Sequence, residues 1–163
     1  MNQTISDMMT RRSIRSFEKK AIDPVDLNAI IRAGFAAPSA HGSRPFRVAV
    51  LENLDIRERM TSVMTWFQPI VNAPVALLVL GDPTVCTLSE FWTVDCSAFT
   101  QNILLAARSL GLGTVWCGIA PNQENIEKIR SVLEIPSLLI PFCAIAIGHP
   151  ASSETFKARE FDD

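Results

Sequence analysis

The run Arg11-Arg12-Ser13-Ile14-Arg15-Ser16-Phe17 gathers three guanidinium groups and two hydroxyls into one short stretch. A guanidinium carries a permanent charge and a planar fork of N–H donors, which suits the paired oxygens of a phosphate. Ser13 adds a small donor that can approach closely, and Phe17 supplies an apolar anchor that keeps the charges off a free tail. A second basic cluster, Lys157 and Arg159, lies near the other end of the sequence. Two positive clusters on a chain of net charge −2 suggest a local anion site. The same stretch also reads as a solvated basic turn between two helices.

Other chemistry is thinly represented. The sequence holds no G-x-S-x-G, no H-E-x-x-H and no phosphate loop ending in Gly-Lys-Ser/Thr. Gly111-Leu112-Gly113 lacks the third glycine of a dinucleotide fingerprint and follows a helix, where that motif follows a strand. Cys86, Cys96, Cys117 and Cys143 have neither metal-ligand nor C-x-x-C spacing, and only two histidines could assist them. Free, mostly buried thiols in a reducing cytoplasm are therefore expected, with no metal site. His41 could pair with Ser39 or with Cys117 as a hydrolytic nucleophile, but it reads more simply as a loop residue, and His149 as a structural one.

At 163 residues, 48% hydrophobic and 20% charged, the chain is expected to form one globular domain over residues 1–163. Its balanced charge argues against a general nucleic-acid binder. No apolar run has the length of a secretory signal or a membrane span, so a cytoplasmic protein is expected.

The elements that must position these residues follow from patterning. Ile5, Met8 and Met9 recur at helical spacing just before the Arg stretch. Asp23-Pro24 opens a second helix, with Asp23 as cap and Pro24 in the first helical position. A loop of small residues, Pro38-Ser39-Ala40-His41-Gly42-Ser43-Arg44-Pro45, has a proline at each end and lets a backbone come close to a flat ligand. Strands are expected at residues 46–51, 73–80, 114–118 and 140–147, the second of them central and buried on both faces. A helix is expected over residues 54–67, with Arg57, Glu58 and Arg59 outward. The longest helix, residues 91–110, is apolar on most sides, so it belongs in an interior or a subunit interface. Gly111 would cap it in the left-handed region. Phe156 and Phe161 suggest a final segment that docks. Helices mixed with roughly four strands give a three-layer α/β or α+β arrangement.

Four blocks together resemble the FMN-dependent nitroreductase family, in its short form, over nearly the full length. They are Arg11 through Phe17; Ala37-Pro38-Ser39-Ala40-His41-Gly42-Ser43-Arg44-Pro45-Phe46; Gly111-Leu112-Gly113-Thr114-Val115-Trp116-Cys117-Gly118; and Gly148-His149-Pro150 with Lys157-Ala158-Arg159 beyond it. The resemblance implies an α+β fold with a central, mostly antiparallel sheet flanked by helices, and a homodimer with FMN at the interface. Arg11, Arg12 and Ser13 would hold the phosphate and ribityl chain, joined by Lys157 and Arg159. Arg15 would lie near the N1 and O2 edge of the flavin. Pro38, Ser39 and Ala40 would come from the partner subunit and pack on the ring, with Gly42 a further cofactor-binding position in the same block. Trp116, Cys117 and Gly118 would line its other side.

The activity implied is an FMN-dependent oxidoreductase passing reducing equivalents from NAD(P)H to a nitroaromatic, quinone or similar acceptor by ping-pong. No protein side chain need act as a catalytic group, because the cofactor performs the hydride chemistry. The second block departs from the family, with Gly42, Arg44 and Phe46 where Asn, Gln and Trp are frequent. Arg44 would then supply a charged contact or face solvent. The short span between residues 54 and 91 implies a reduced or absent substrate lid. A non-catalytic flavin- or phospho-ligand-binding module is the alternative reading.

Overall fold

The computed structural model describes residues 2–158 and residue 160. Helix α1, Gln3–Thr10, starts where the Asn2 side chain accepts a hydrogen bond from the Ile5 N–H. Helix α2, Pro24–Phe35, starts as its sequence demands: Asp23 accepts from the Val25 N–H and Pro24 occupies the first turn. Strand β1, Phe46–Leu51, leads to helix α3, Leu54–Val63, capped by Asn53. A single 3₁₀ turn, Thr65–Phe67, and a short helix α4, Gln68–Asn72, then feed strand β2, Val75–Gly81. Helix α5, Trp92–Ser109, is the longest, and strand β3, Gly113–Gly118, helix α6, Gln123–Leu133, and strand β4, Ile140–Gly148, follow.

The sheet order is β1-β2-β4-β3, and every strand pairing is antiparallel. Strand β2 is buried along its whole length, as its continuous apolar run requires. One core lies between the sheet and helices α2 and α5, around Phe46, Phe99 and Ile103. The other lies between the opposite face and helices α3, α4 and α6, around Met60, Met64 and Ile129. The result is a three-layer α+β fold.

Helix α5 presses on α2 through Gly34, where a Cβ would stand 2.9 Å from both Ile103 and Phe99. Gly111, at φ 74°, ends α5 in the left-handed region, as expected from its sequence.

The expected helix over residues 54–67 is broken. It stops at Val63, and Met64 is extended, with φ −135° and ψ 93°. Hydroxyl side chains weaken this end: Thr61 Oγ1 donates to the Arg57 carbonyl and Ser62 Oγ to the Arg59 carbonyl. Arg57, expected outward, is instead 5% exposed. Its guanidinium donates to the carbonyls of Ile70 at 3.0 Å, Ala73, and Glu52 at 3.3 Å. The carbonyls at the end of α4 have no partner within the helix, and a long cationic side chain satisfies them from below. Burial holds the Arg57 pKa below its ordinary value, partly offset by Glu58.

Candidate functional site

The Arg stretch is pinned to one edge of the sheet. Ser13 forms a parallel bridge with Thr114, and the Ile14 N–H donates to the Thr114 carbonyl at 2.9 Å. Ile14 is fully buried and sits against Gly113, where a Cβ would come within 2.7 Å of it. Phe17 then bridges Pro150 and packs beside Gly148. The two anchors, Ile14 and Phe17, hold the intervening backbone while Arg15 and Ser16 remain exposed. The stretch is therefore no free turn between helices.

The final segment comes to the same place. Glu154 Oε1 accepts from the backbone N–H groups of Arg15 and Ser16, at 3.0 and 3.1 Å. The Ala151 N–H donates to the Ser16 carbonyl at 3.0 Å. Arg12 Nη2 donates to the Ala158 carbonyl at 2.7 Å, next to the exposed Lys157. Phe156 lies beneath Arg108, whose guanidinium carbon is 4.3 Å from the ring centroid. Arg108 also donates to Thr10 Oγ1 and pairs with Asp7 at 3.5 Å, which ties α1, α5 and the final segment together. Arg159 and Phe161 lie outside the described residues.

Strand β3 provides the adjoining wall. Trp116 turns its ring to Phe142, with centroids 5.5 Å apart, and Cys117 faces the opposite core at 4% exposure. Burial pushes the Cys117 thiol up to about 11, against a smaller downward pull from the Arg15 charge. Arg15 itself folds back along this edge, its Nη1 donating to the Ser13 carbonyl at 3.3 Å. Gly118 closes the strand and is exposed, and a Cβ there would meet nothing within 4 Å. The block therefore presents an open backbone surface at Gly118, while Trp116 packs partly buried against one core and Cys117 is buried in the other.

The loop containing Pro38, Ser39, Ala40 and Gly42 lies elsewhere. It leads into Phe46, which pairs with Gly81 at the outer edge of the sheet opposite β3. The Arg stretch lies beyond β3, at the end marked by Gly113 and Gly148. Strand spacing and rise place the two on the order of 30 Å apart, at diagonal corners of one sheet. The loop is tightly shaped: His41, Gly42 and Arg44 all have positive φ, at 52°, 69° and 49°. Ser39 Oγ accepts from the Arg44 N–H at 2.9 Å, and Asp95 Oδ1 accepts from the Ala40 N–H at 2.9 Å.

A hydrolytic site gains no support from this arrangement. Cys117 is buried on β3 with a raised pKa, the wrong direction for a nucleophile, and His41 is exposed at the far corner. Arg44 is exposed and serves the loop through its own backbone N–H and a carbonyl that accepts from Arg47 at 3.0 Å.

Three contributors had not been expected. Asp95 is 4% exposed and shapes the loop, while its Oδ2 has no hydrogen-bond partner. A lone acid in the first turn of an apolar helix was the available signal. Glu154 and Arg108 had no local signal, because their partners lie 139 and 98 residues away.

The profile of the nitroreductase family matches residues 8–90 and 89–149. The chain belongs to the nitroreductase family. A relative from Archaeoglobus fulgidus, named provisionally as an NADH dehydrogenase/NAD(P)H nitroreductase, is 35% identical over 164 residues, covering 100% of this chain and 93% of the relative. The crystal structure of a Parabacteroides distasonis protein of the same provisional name superposes with TM-score 0.92 at 32% identity, covering 99% of this chain and 95% of that one. A Desulfovibrio desulfuricans protein, provisionally named a nitroreductase and crystallised in complex with FMN, gives TM-score 0.84 at 29% identity, covering 98% and 93%. The nitroreductase fold is thus shared along almost the whole chain. No helix among the described residues is long and apolar enough to cross a membrane.

Proposed function

We propose that this nitroreductase-family chain is an FMN-dependent NAD(P)H oxidoreductase acting as a homodimer, with a nitroaromatic, quinone or similar compound as acceptor. The observation that carries this reading is the meeting of the Arg stretch with the final segment at the Gly113 end of β3, the strand whose other end is the open Gly118. Among the described residues, Arg12, Arg15 and Lys157 form no ion pair with a carboxylate, so this cationic set suits a phosphate monoester. The open space over Gly118 admits a flat group against the backbone. The donors and the space both fit FMN.

In this reading Arg11, Arg12, Ser13, Lys157 and Arg159 hold the phosphate and ribityl chain. Arg15 places positive charge beside the N1 and O2 edge of the ring, where negative charge accumulates on electron uptake. Trp116, Cys117 and Gly118 form the wall behind the ring, chiefly through the Gly118 backbone. Pro38, Ser39, Ala40 and Gly42 of one protomer lie too far from its own Arg stretch for a single FMN to span. They reach a ring only when a second copy supplies the other corner, and this distance is the argument for the homodimer. The chemistry that FMN supplies when bound is two-electron transfer from NAD(P)H to the acceptor, in ping-pong order.

An absorbance scan of the purified protein tests the reading. Flavin bands that bleach on addition of NADH or NADPH and recover with a quinone are expected. A colourless protein that takes up no added FMN overturns it. FMN uptake without NAD(P)H oxidation by any acceptor would leave the non-catalytic binding module.

A further inference from the structure

We propose that Trp66 is the stacking platform for a planar, electron-poor aromatic acceptor and so sets the acceptor class of this site, an inference that rests on the oxidoreductase reading above. The three tryptophans have different surroundings. Trp92 stands edge-on to Phe142, with centroids 5.9 Å apart, and lies against Gly81, where any Cβ would clash with its ring. Trp116 is turned onto the same Phe142. Trp66 is 50% exposed.

Exposure of so large a ring usually goes with mobility, but Trp66 is held at several points. Its Nε1–H donates to the Gly118 carbonyl at 3.2 Å. Its ring meets Phe67 edge-on, with centroids 6.1 Å apart and an interplanar angle of 83°. The flanking Met64 and Phe67 are both fully buried, and the Phe67 N–H donates to the Met64 carbonyl at 3.0 Å. A ring fixed in this way can stack without losing much side-chain freedom on binding.

Its location gives it a partner. The bond to Gly118 ties the indole to the residue over which the structure leaves open space, on the same strand whose Thr114 bridges Ser13 of the Arg stretch. Trp66 is thus joined to the wall assigned to the flavin ring. The indole is the most electron-rich aromatic side chain, and its face favours flat groups poor in electrons, such as quinones and nitroarenes. A compact, non-planar anion such as ferricyanide has no face to offer it.

Two measurements on the FMN-loaded protein test the proposal. The first is the ratio of kcat/KM for menadione to that for ferricyanide. Trp66→Leu should lower this ratio about tenfold, the scale of losing one stacked ring. Trp66→Phe keeps a flat face and should recover most of it. The second uses no turnover: in ¹⁵N-labelled protein without reductant, the Trp66 indole N–H signal, identified by its absence from Trp66→Phe, should shift saturably as menadione is added.

An unchanged ratio in Trp66→Leu overturns the proposal, as does an indole signal that menadione does not move. A signal already shielded from a soluble paramagnetic probe in the ligand-free protein would mean that a second copy covers Trp66, and would overturn it too. If the wild-type protein oxidises NAD(P)H with no acceptor, the oxidoreductase reading fails, and the indole titration alone decides the role of Trp66: a saturable shift upholds it and a silent signal rejects it.

Discussion

Arg12 donates to the carbonyl of Ala158 at 2.7 Å across 146 residues of sequence. The bond ties one guanidinium N–H to the final segment, directly after the exposed Lys157. If this pair holds a phosphate, Arg12→Ala should weaken FMN binding by about 1.5–3 kcal/mol, the worth of hydrogen bonds to a charged group. Riboflavin lacks the phosphate, so its affinity should barely change. Titrating both ligands into the wild-type and variant proteins checks this, and an equal loss for both would assign Arg12 a purely structural part.

The diagonal separation of the Arg stretch and the Ala40 loop makes a prediction about mixing. In the proposed homodimer, Arg12→Ala would damage one corner, and Ala40→Glu would damage the other by placing a carboxylate against the ring. A heterodimer of the two variants would then have one doubly damaged site and one intact site. Random reassortment should therefore restore about a quarter of the sites. NAD(P)H oxidation measured after co-refolding checks it. No recovery would mean that each protomer completes its own site.

Gly113 lets Ile14 lie directly on β3, with 2.7 Å between Ile14 and the position of a Cβ. Gly113→Ala should push Ile14 outward, costing about 1–3 kcal/mol by overpacking. The displacement should also carry Ser13 and Arg12 with it. A lower Tm accompanied by weaker FMN binding is expected. A lower Tm with FMN affinity intact would separate the Ile14 anchor from the site.

Burial pushes Cys117 up to about 11 and Cys96 up to about 12. It also raises Cys143, which a hydrogen bond with Thr100 only partly offsets. In the native protein at pH 8, a thiol reagent should therefore modify Cys86 quickly and the other three slowly, and all four after unfolding. Cys86 is raised as well, by its partial burial and by Asp95 and Asp82, so its rate should climb as the pH is increased. The sign for stability follows. Folded thiols hold their protons above the unfolded value of 9.0, so their contribution is complete below pH 9 and is lost as the pH rises toward 11 and 12. Urea denaturation at pH 8 and pH 10.5 checks it, with the lower midpoint expected at pH 10.5.

Local signals in the sequence were enough for the elements. Asp23-Pro24 opened α2, the β-branched run before Gly81 became the buried β2, and Gly111 closed α5. Each depends on neighbours in the chain, through capping, φ restriction or burial on two faces. The break at Met64 was not legible, because the competing Thr61 and Ser62 hydroxyls change the helix only slightly, and the full burial of Met64 and Phe67 is set by tertiary packing. Nor was the burial of Arg57. A charged residue on a helix reads as outward unless one knows that the carbonyls of Ile70 and Ala73 wait beneath it.

By itself the sequence determined which residue types were available: guanidinium groups beside a hydroxyl, a loop of small residues, apolar strands, and enough pattern to resemble one family. The tertiary structure decided which of them meet. It brought Arg12 to Ala158 and Trp66 to Gly118, and it sent the Ala40 loop to the opposite corner. The physical reason is the antiparallel strand order β1-β2-β4-β3, which sets neighbours by non-local pairing that no local propensity encodes.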